Sequence, residues 1–176
     1  MKRSYPLLSV VALAFLCFSY STSKKKVRLL VFSKTAGYRH ASITKGKEAI
    51  RLLAEKNNFT IDTTEDASRF TKKNFNKYAA VIFLSTTGDV LNEEQQKAFE
   101  DFIRSGKGFM GIHAATDTEY DWPWFVKLVG ANFSNHPKPQ KAKLIVTDKT
   151  NLSVMHLPTP GREQMSGIIL KTLTPP

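Results

Sequence analysis

Three short, largely apolar runs constrain this chain most: VRLLVFS at Val27–Ser33, AAVIFL at Ala79–Leu84 and KGFMGI at Lys107–Ile112. They lack the apolar-polar alternation of a half-buried strand, so each reads as a strand covered on both faces, as in a parallel sheet. Phe59–Thr63 reads as a shorter second strand and Lys143–Thr147 as a fifth. Between them lie segments of helical period. Ser42–Lys56 carries Ile43, Ala49, Ile50, Leu52 and Leu53 on a helical spacing, with Ser42 as the expected N-cap. Asn92-Glu93-Glu94-Gln95 has the form of a capping box, opening a helix through Phe99, Phe102 and Ile103 that stops at Gly106. Residues 66–78 are polar with scattered aromatics and read as a turn of helix and loop. Strands and helices in alternation predict an α/β fold: a doubly wound, mainly parallel sheet with helices on both faces.

The first 23 residues read as an address. Lys2 and Arg3 precede the apolar run Leu7–Tyr20, and small residues follow at Ser19, Ser21 and Ser23, the pattern of a secretory signal peptide. The run is shorter than the roughly 20 residues that cross a bilayer, so no stable membrane span is expected after cleavage. The only cysteine, Cys17, leaves with the signal, which removes thiol catalysis and suits an exported, oxidising location. Charge follows the same division. The chain has 26 Lys and Arg against 15 acids, or +11; without Lys2 and Arg3 it keeps 24 against 15, or +9. Three of those charges are Lys24, Lys25 and Lys26, and others (Lys45, Lys47, Arg51, Lys56, Lys72, Lys73) fall on expected helix surfaces. No aromatic-interleaved RNA strand, recognition helix or zinc finger accompanies them, so no nucleic-acid partner is expected.

In a doubly wound sheet, ligands bind outside the carboxyl ends of the strands. Three loops therefore matter: Lys34–His40, Ser85–Asp89 and His113–Trp122, which hold His40 and His113, two of only four histidines. Gly111-Ile112-His113-Ala114-Ala115 has the strand-to-helix look of a nucleophile elbow with histidine at its tip. His113 there can be a general base, a metal ligand or an electrophile, or can merely bond a backbone carbonyl. Asp117, Glu119 and Asp121 alternate; on extended backbone they would point one way and could bind a cation, or they form a solvated acidic loop. Trp122-Pro123-Trp124-Phe125 reads either as a stacking wall for a sugar or as the core of a short helix. Lys34-Thr35-Ala36-Gly37 matches neither nucleotide-binding glycine fingerprint, which argues against a dinucleotide site. Asn58, Asn132 and Asn151 open formal glycosylation sequons, and His156 reads as structural.

Two stretches, VRLLVFSKTAGYRHASI and GIHAATDTEYDWPWFVKLVGANF, followed by Asn135-His136-Pro137, resemble the ThuA-like (trehalose utilisation) family. The resemblance covers about residues 27–157. It implies a class I glutamine amidotransferase-like, flavodoxin-like fold and a role in disaccharide or keto-sugar metabolism, in a family often exported by bacteria. It also implies a pocket with His113, His40, Asp117 and Glu119 as its catalytic set. A divalent metal such as zinc would be held by His40, His113 and His136, and a small-molecule sugar by Tyr38, Trp122 and Trp124. An amidotransferase reaction is not implied, because no cysteine stands at the elbow. After His156-Leu157-Pro158 the family pattern gives way to TPGREQMSGIILKTLTPP. We read 24–158 as a partial ThuA-like domain and 159–176 as an atypical tail, a candidate frameshift product that leaves the domain C-terminally incomplete and its activity weakened or lost.

Two function classes follow: a sugar-processing enzyme, or a non-catalytic carbohydrate-binding or accessory module, either of them monomeric or oligomeric. The processed protein is expected to begin at Lys24; N-terminal sequencing that finds Met1 on the exported product contradicts the signal reading. An uninterrupted frame on resequencing, matched by the intact mass, would sink the frameshift reading.

Overall fold

The three apolar runs pair side by side, and the more polar second strand joins them at one edge. The computed structural model describes residues 26–138, 140–144, 148–153, 155, 161–165 and 169–172. Strands β1 (Arg28–Phe32), β2 (Thr60–Thr64), β3 (Ala80–Leu84) and β4 (Gly108–Ile112) form one parallel sheet in the order β2-β1-β3-β4. Its register pairs Leu30 with Asp62, Val31 with Ile82, and Ile82 with Met110. β1 and β3 are central, and the strand order turns there.

Period-two alternation divides the core into two. Leu30, Phe32, Val81 and Phe83 face an aromatic layer with Phe70, Phe75, Phe99, Phe102 and Phe125. Val31, Ile82 and Leu84 face the other way, onto Ile50 of helix α1 (Ile43–Lys56). Helices α2 (Lys72–Phe75), α3 (Glu93–Arg104) and α4 (Pro123–Val129) contribute to the aromatic side. Phe99 is its centre: fully buried, with ring centroids 5.4 Å from Phe83, 5.8 Å from Phe109 and 6.3 Å from Trp122.

The α3 ends are those expected. Asn92 Oδ1 accepts from Gln95 N at 2.9 Å and Gln95 Oε1 from Asn92 N at 3.0 Å, closing the capping box, while Gly106 takes φ +87° past the last turn. Ser42 differs from expectation. It stands at the N-cap of α1, but its backbone is already helical (φ −69°, ψ −13°) and its side chain makes no cap bond. The helix entry is instead held by main chain, Gly46 N to Ser42 O at 2.8 Å.

β4 also departs from the expected interior strand. Among the described residues it pairs with β3 alone, and Met110 is 55% exposed. Beyond it come two antiparallel pairs. β5 (Ala131–Asn135) pairs with β8 (Ile169–Thr172), and β6 (Gln140–Leu144) with β7 (Gly161–Met165). The expected fifth strand thus overlaps β6 at 143–144, while its residues 145–147 lie outside the described residues. So do the expected signal segment with Cys17, and His156. No described helix is long and apolar enough to cross a membrane.

Truncating Phe99 removes the ring on which the aromatic layer converges. Phe99→Ala is expected to destabilise the fold by about 3–5 kcal/mol in urea unfolding, against under about 1.5 kcal/mol for Phe99→Leu if the layer repacks.

Candidate functional site

The loop after β3 holds the site together. Thr87 O accepts Ala36 N at 2.7 Å and Gly37 N at 3.3 Å from the loop after β1, and Thr87 Oγ1 donates to Tyr38 O at 2.9 Å. On its other side, Gly88 N donates to Asp117 O at 2.7 Å and Gly88 O accepts Glu119 N at 3.3 Å, from the loop after β4. Gly88 must be glycine: its φ is +71°, and a Cβ there would lie 3.0 Å from Gly37 N. Thr86 and Thr118, both fully buried, share a hydroxyl-hydroxyl bond of 2.8 Å beneath the junction.

Glu119 closes the arrangement. It is 1% exposed, and its Oε1 accepts Val90 N at 2.7 Å and Leu91 N at 2.8 Å while Oε2 accepts Gln96 Nε2 at 2.7 Å. Burial pushes its carboxyl upward, and these three donors oppose that shift. Glu119 therefore clamps the loop after β4 to the start of α3 and does not line the cleft.

At the end of β4 the chain turns sharply. His113 has φ +24° and Ala114 φ +62°, so the backbone reverses into a 3-10 turn over Ala115–Asp117 and leaves the exposed His113 at the tip. Gly111 permits the approach, since a Cβ there would lie 2.8 Å from Ala115 Cβ. His40, from the loop after β1, meets His113 edge to face with ring centroids 4.5 Å apart, and Tyr38 meets His40 at 4.8 Å. Burial lowers the His40 pKa, the neighbouring His113 lowers it further, and Asp117 opposes both. The His40 ring is thus held toward its neutral form, in which one ring nitrogen is free to act as an acceptor.

These groups line a cleft of about 620 Å3, together with Thr116, Phe133 and His136. Phe133 and His136 pack at 4.9 Å. Tyr120 joins this part of the lining to Asp117: its hydroxyl contacts the Asp117 carboxylate and lies 3.2 Å from Phe133 O. Burial and then the Asp117 contact raise the Tyr120 pKa, so the phenol keeps its proton and donates.

Of the residues singled out in the sequence, the fold gathers Tyr38, His40, His113, Asp117 and His136, and leaves Glu119, Trp122 and Trp124 out of the lining. Trp122 is buried in the aromatic core, stacked on Phe125 at 5.7 Å. Trp124 packs against the same core, with the Arg104 guanidinium 5.9 Å from its ring. The alternating acids diverge because Asp117 ends a 3-10 turn and Glu119 has φ +55°, which breaks extended periodicity. Phe133 and Thr116 are lining residues the sequence reading missed, as were the threonines beneath. The Thr-Thr-Gly sequence at the end of β3 was the available signal for Thr86. Among the described residues no three His, Cys, Asp or Glu side chains converge to hold a metal ion.

Residues 28–165 match the family model for ThuA, described as trehalose utilisation. The match runs past the domain boundary expected at 158 and takes in β7. In fold the chain is similar to a ThuA-like protein of Bacteroides uniformis, with TM-score 0.67 and 23% identity over 80% of this chain and 60% of that one. It is also similar to one of Parabacteroides merdae, with TM-score 0.64 and 19% identity over 78% and 60%. The chain therefore spans 60% of the length of either relative. No curated protein matches it.

The β1 loop is also tied down by charge. Glu65 accepts Arg39 at 2.8 and 3.0 Å and Lys47 at 2.7 Å. Led by the Arg39 bond, these partners lower its carboxyl from 4.5 to about 2. A pKa lowered by folding stabilises above the unfolded value and loses that contribution as pH falls through the folded one. Melting temperature is accordingly expected to fall between about pH 4.5 and 2 more steeply in the native chain than in Glu65→Gln. Salt should shrink the difference, because the pair is partly exposed.

Proposed function

The chain belongs to the ThuA family, and on that premise we propose that it acts on a sugar, a disaccharide or keto-sugar, in the histidine cleft at the ends of β1 and β4. One observation carries the reading: two imidazoles 4.5 Å apart, one held toward neutrality, share a cleft of about 620 Å3 with a carboxylate. Pockets of this size accommodate small organic ligands.

In this reading His40 takes a proton from a sugar hydroxyl, or from a carbon beside a carbonyl, and the adjacent His113 returns one to a neighbouring atom on the same side of the reacting group. Asp117, held by Tyr120, balances the imidazolium that forms. Thiolate chemistry is not part of the proposal, since His113 occupies the elbow. A divalent ion such as zinc is a further part of it. His40, His113 and His136 line the cleft and would hold it, although no three donor side chains converge among the described residues. Export by the N-terminal segment places the reaction outside the cytoplasm.

The second reading, a binding module without turnover, draws support from Tyr38, which is 71% exposed beside the cleft and offers a stacking face. It no longer draws on Trp122 or Trp124.

Assays on oxidised disaccharides, with and without added zinc, separate the two. His113→Ala and His40→Ala are each expected to lower turnover by about 10²- to 10⁴-fold, the range for lost acid-base catalysis. Native turnover in His113→Ala removes that residue from the mechanism. Sugar binding without turnover in the native chain favours the module.

A further inference from the structure

The charge distribution around the cleft carries a statement about what enters it. The chain is strongly basic, +11 overall, yet the described lining of the cleft contains no lysine or arginine. Its one formally charged side chain is Asp117. The nearest cations in sequence are directed elsewhere. Arg39, beside His40, is engaged by both carboxylate oxygens of Glu65, and Lys34 donates to Val90 O at 2.9 Å. Lys138, two positions after His136, is exposed and not part of the lining. Asp117 cannot swing out to relieve a negative ligand at no cost, because the Tyr120 hydroxyl holds its carboxylate.

Phe133 supplies the complementary feature. β5 brings its ring to the cleft, beside His136, while the paired imidazoles come from the loops after β1 and β4. A pyranose has an apolar face of axial C–H bonds that packs on an aromatic ring, and hydroxyls around its edge that bond to imidazoles and carboxylates. A phosphate or carboxylate on that sugar would have to sit near Asp117 with no lysine or arginine of the described lining to pair it, only the imidazoles.

Resting on the sugar reading above, we infer that the cleft selects uncharged sugars over phosphorylated or acidic ones, with Asp117 excluding anions and Phe133 as the stacking platform. One unpaired like charge at a separation of several ångströms, partly solvated, discriminates by about tenfold.

Ligand-observed NMR titration of the full chain at pH 7.5 with trehalose and trehalose 6-phosphate tests this. The neutral sugar is expected to bind about tenfold more tightly or better. Asp117→Asn, which keeps an acceptor for Tyr120, should shrink that ratio to within about threefold by improving phosphate binding. Thr116→Lys leaves the carboxylate in place and adds a cation to the lining, and should shrink it too. Phe133→Ala should weaken both ligands, and Phe133→Trp should restore them. Equal or tighter binding of the phosphate by the native chain overturns the selectivity and leaves the sugar reading standing. A ratio unchanged in both Asp117→Asn and Thr116→Lys overturns the role of Asp117. Binding unaffected by Phe133→Ala overturns the platform. No binding of either sugar overturns the sugar reading itself, and this inference with it.

Discussion

The buried carboxylate of Glu119 is the constraint on which the cleft depends. It satisfies two main-chain amides, Val90 and Leu91, that would otherwise be buried without partners at the entry to α3, and it takes a third bond from Gln96. Its own backbone, and that of Asp117, then pair with Gly88, while Thr87 grips the loop after β1. Three loops from three adjacent strands are thereby locked into one unit. His40 and His113 belong to two of those loops, and their contact at 4.5 Å exists only because the third lies between them. A carboxylate this deep costs desolvation energy, and the bonds it accepts offset that cost.

The sheet makes this junction possible. With the order β2-β1-β3-β4, the loops of β1 and β3 leave neighbouring carboxyl ends, and β4 adds its turn alongside. The aromatic layer centred on Phe99 fixes α3 and α4 to one face, and Trp122 belongs to that layer. The tryptophans thus serve the packing that positions the loop after β4, one step removed from the cleft.

What could be read in advance follows the same physics. Strands buried on both faces announce themselves as apolar runs, and the α3 caps are local, so β1, β3 and Asn92–Gly106 were legible. That Tyr38, His40, His113, Asp117 and His136 share one cleft was legible through their placement at strand ends and their motif. Glu119 was misassigned because its partners, Val90 and Leu91, are 29 and 28 positions away in sequence. Trp122 and Trp124 carried two readings that local sequence could not separate, since a stacking wall and a core helix share one apolar spacing. Phe133 was missed because Ala131–Asn135 is polar and short, and its strand character comes from pairing with β8, a long-range partner.

The central claim is that His40, His113 and His136 face one sugar-binding space. Two-dimensional NMR of the histidine rings during titration with trehalose tests it most directly. The account predicts that the ring signals of all three shift together and saturate with a single dissociation constant. Rings that stay fixed up to millimolar sugar, or that respond with unrelated constants, would contradict it.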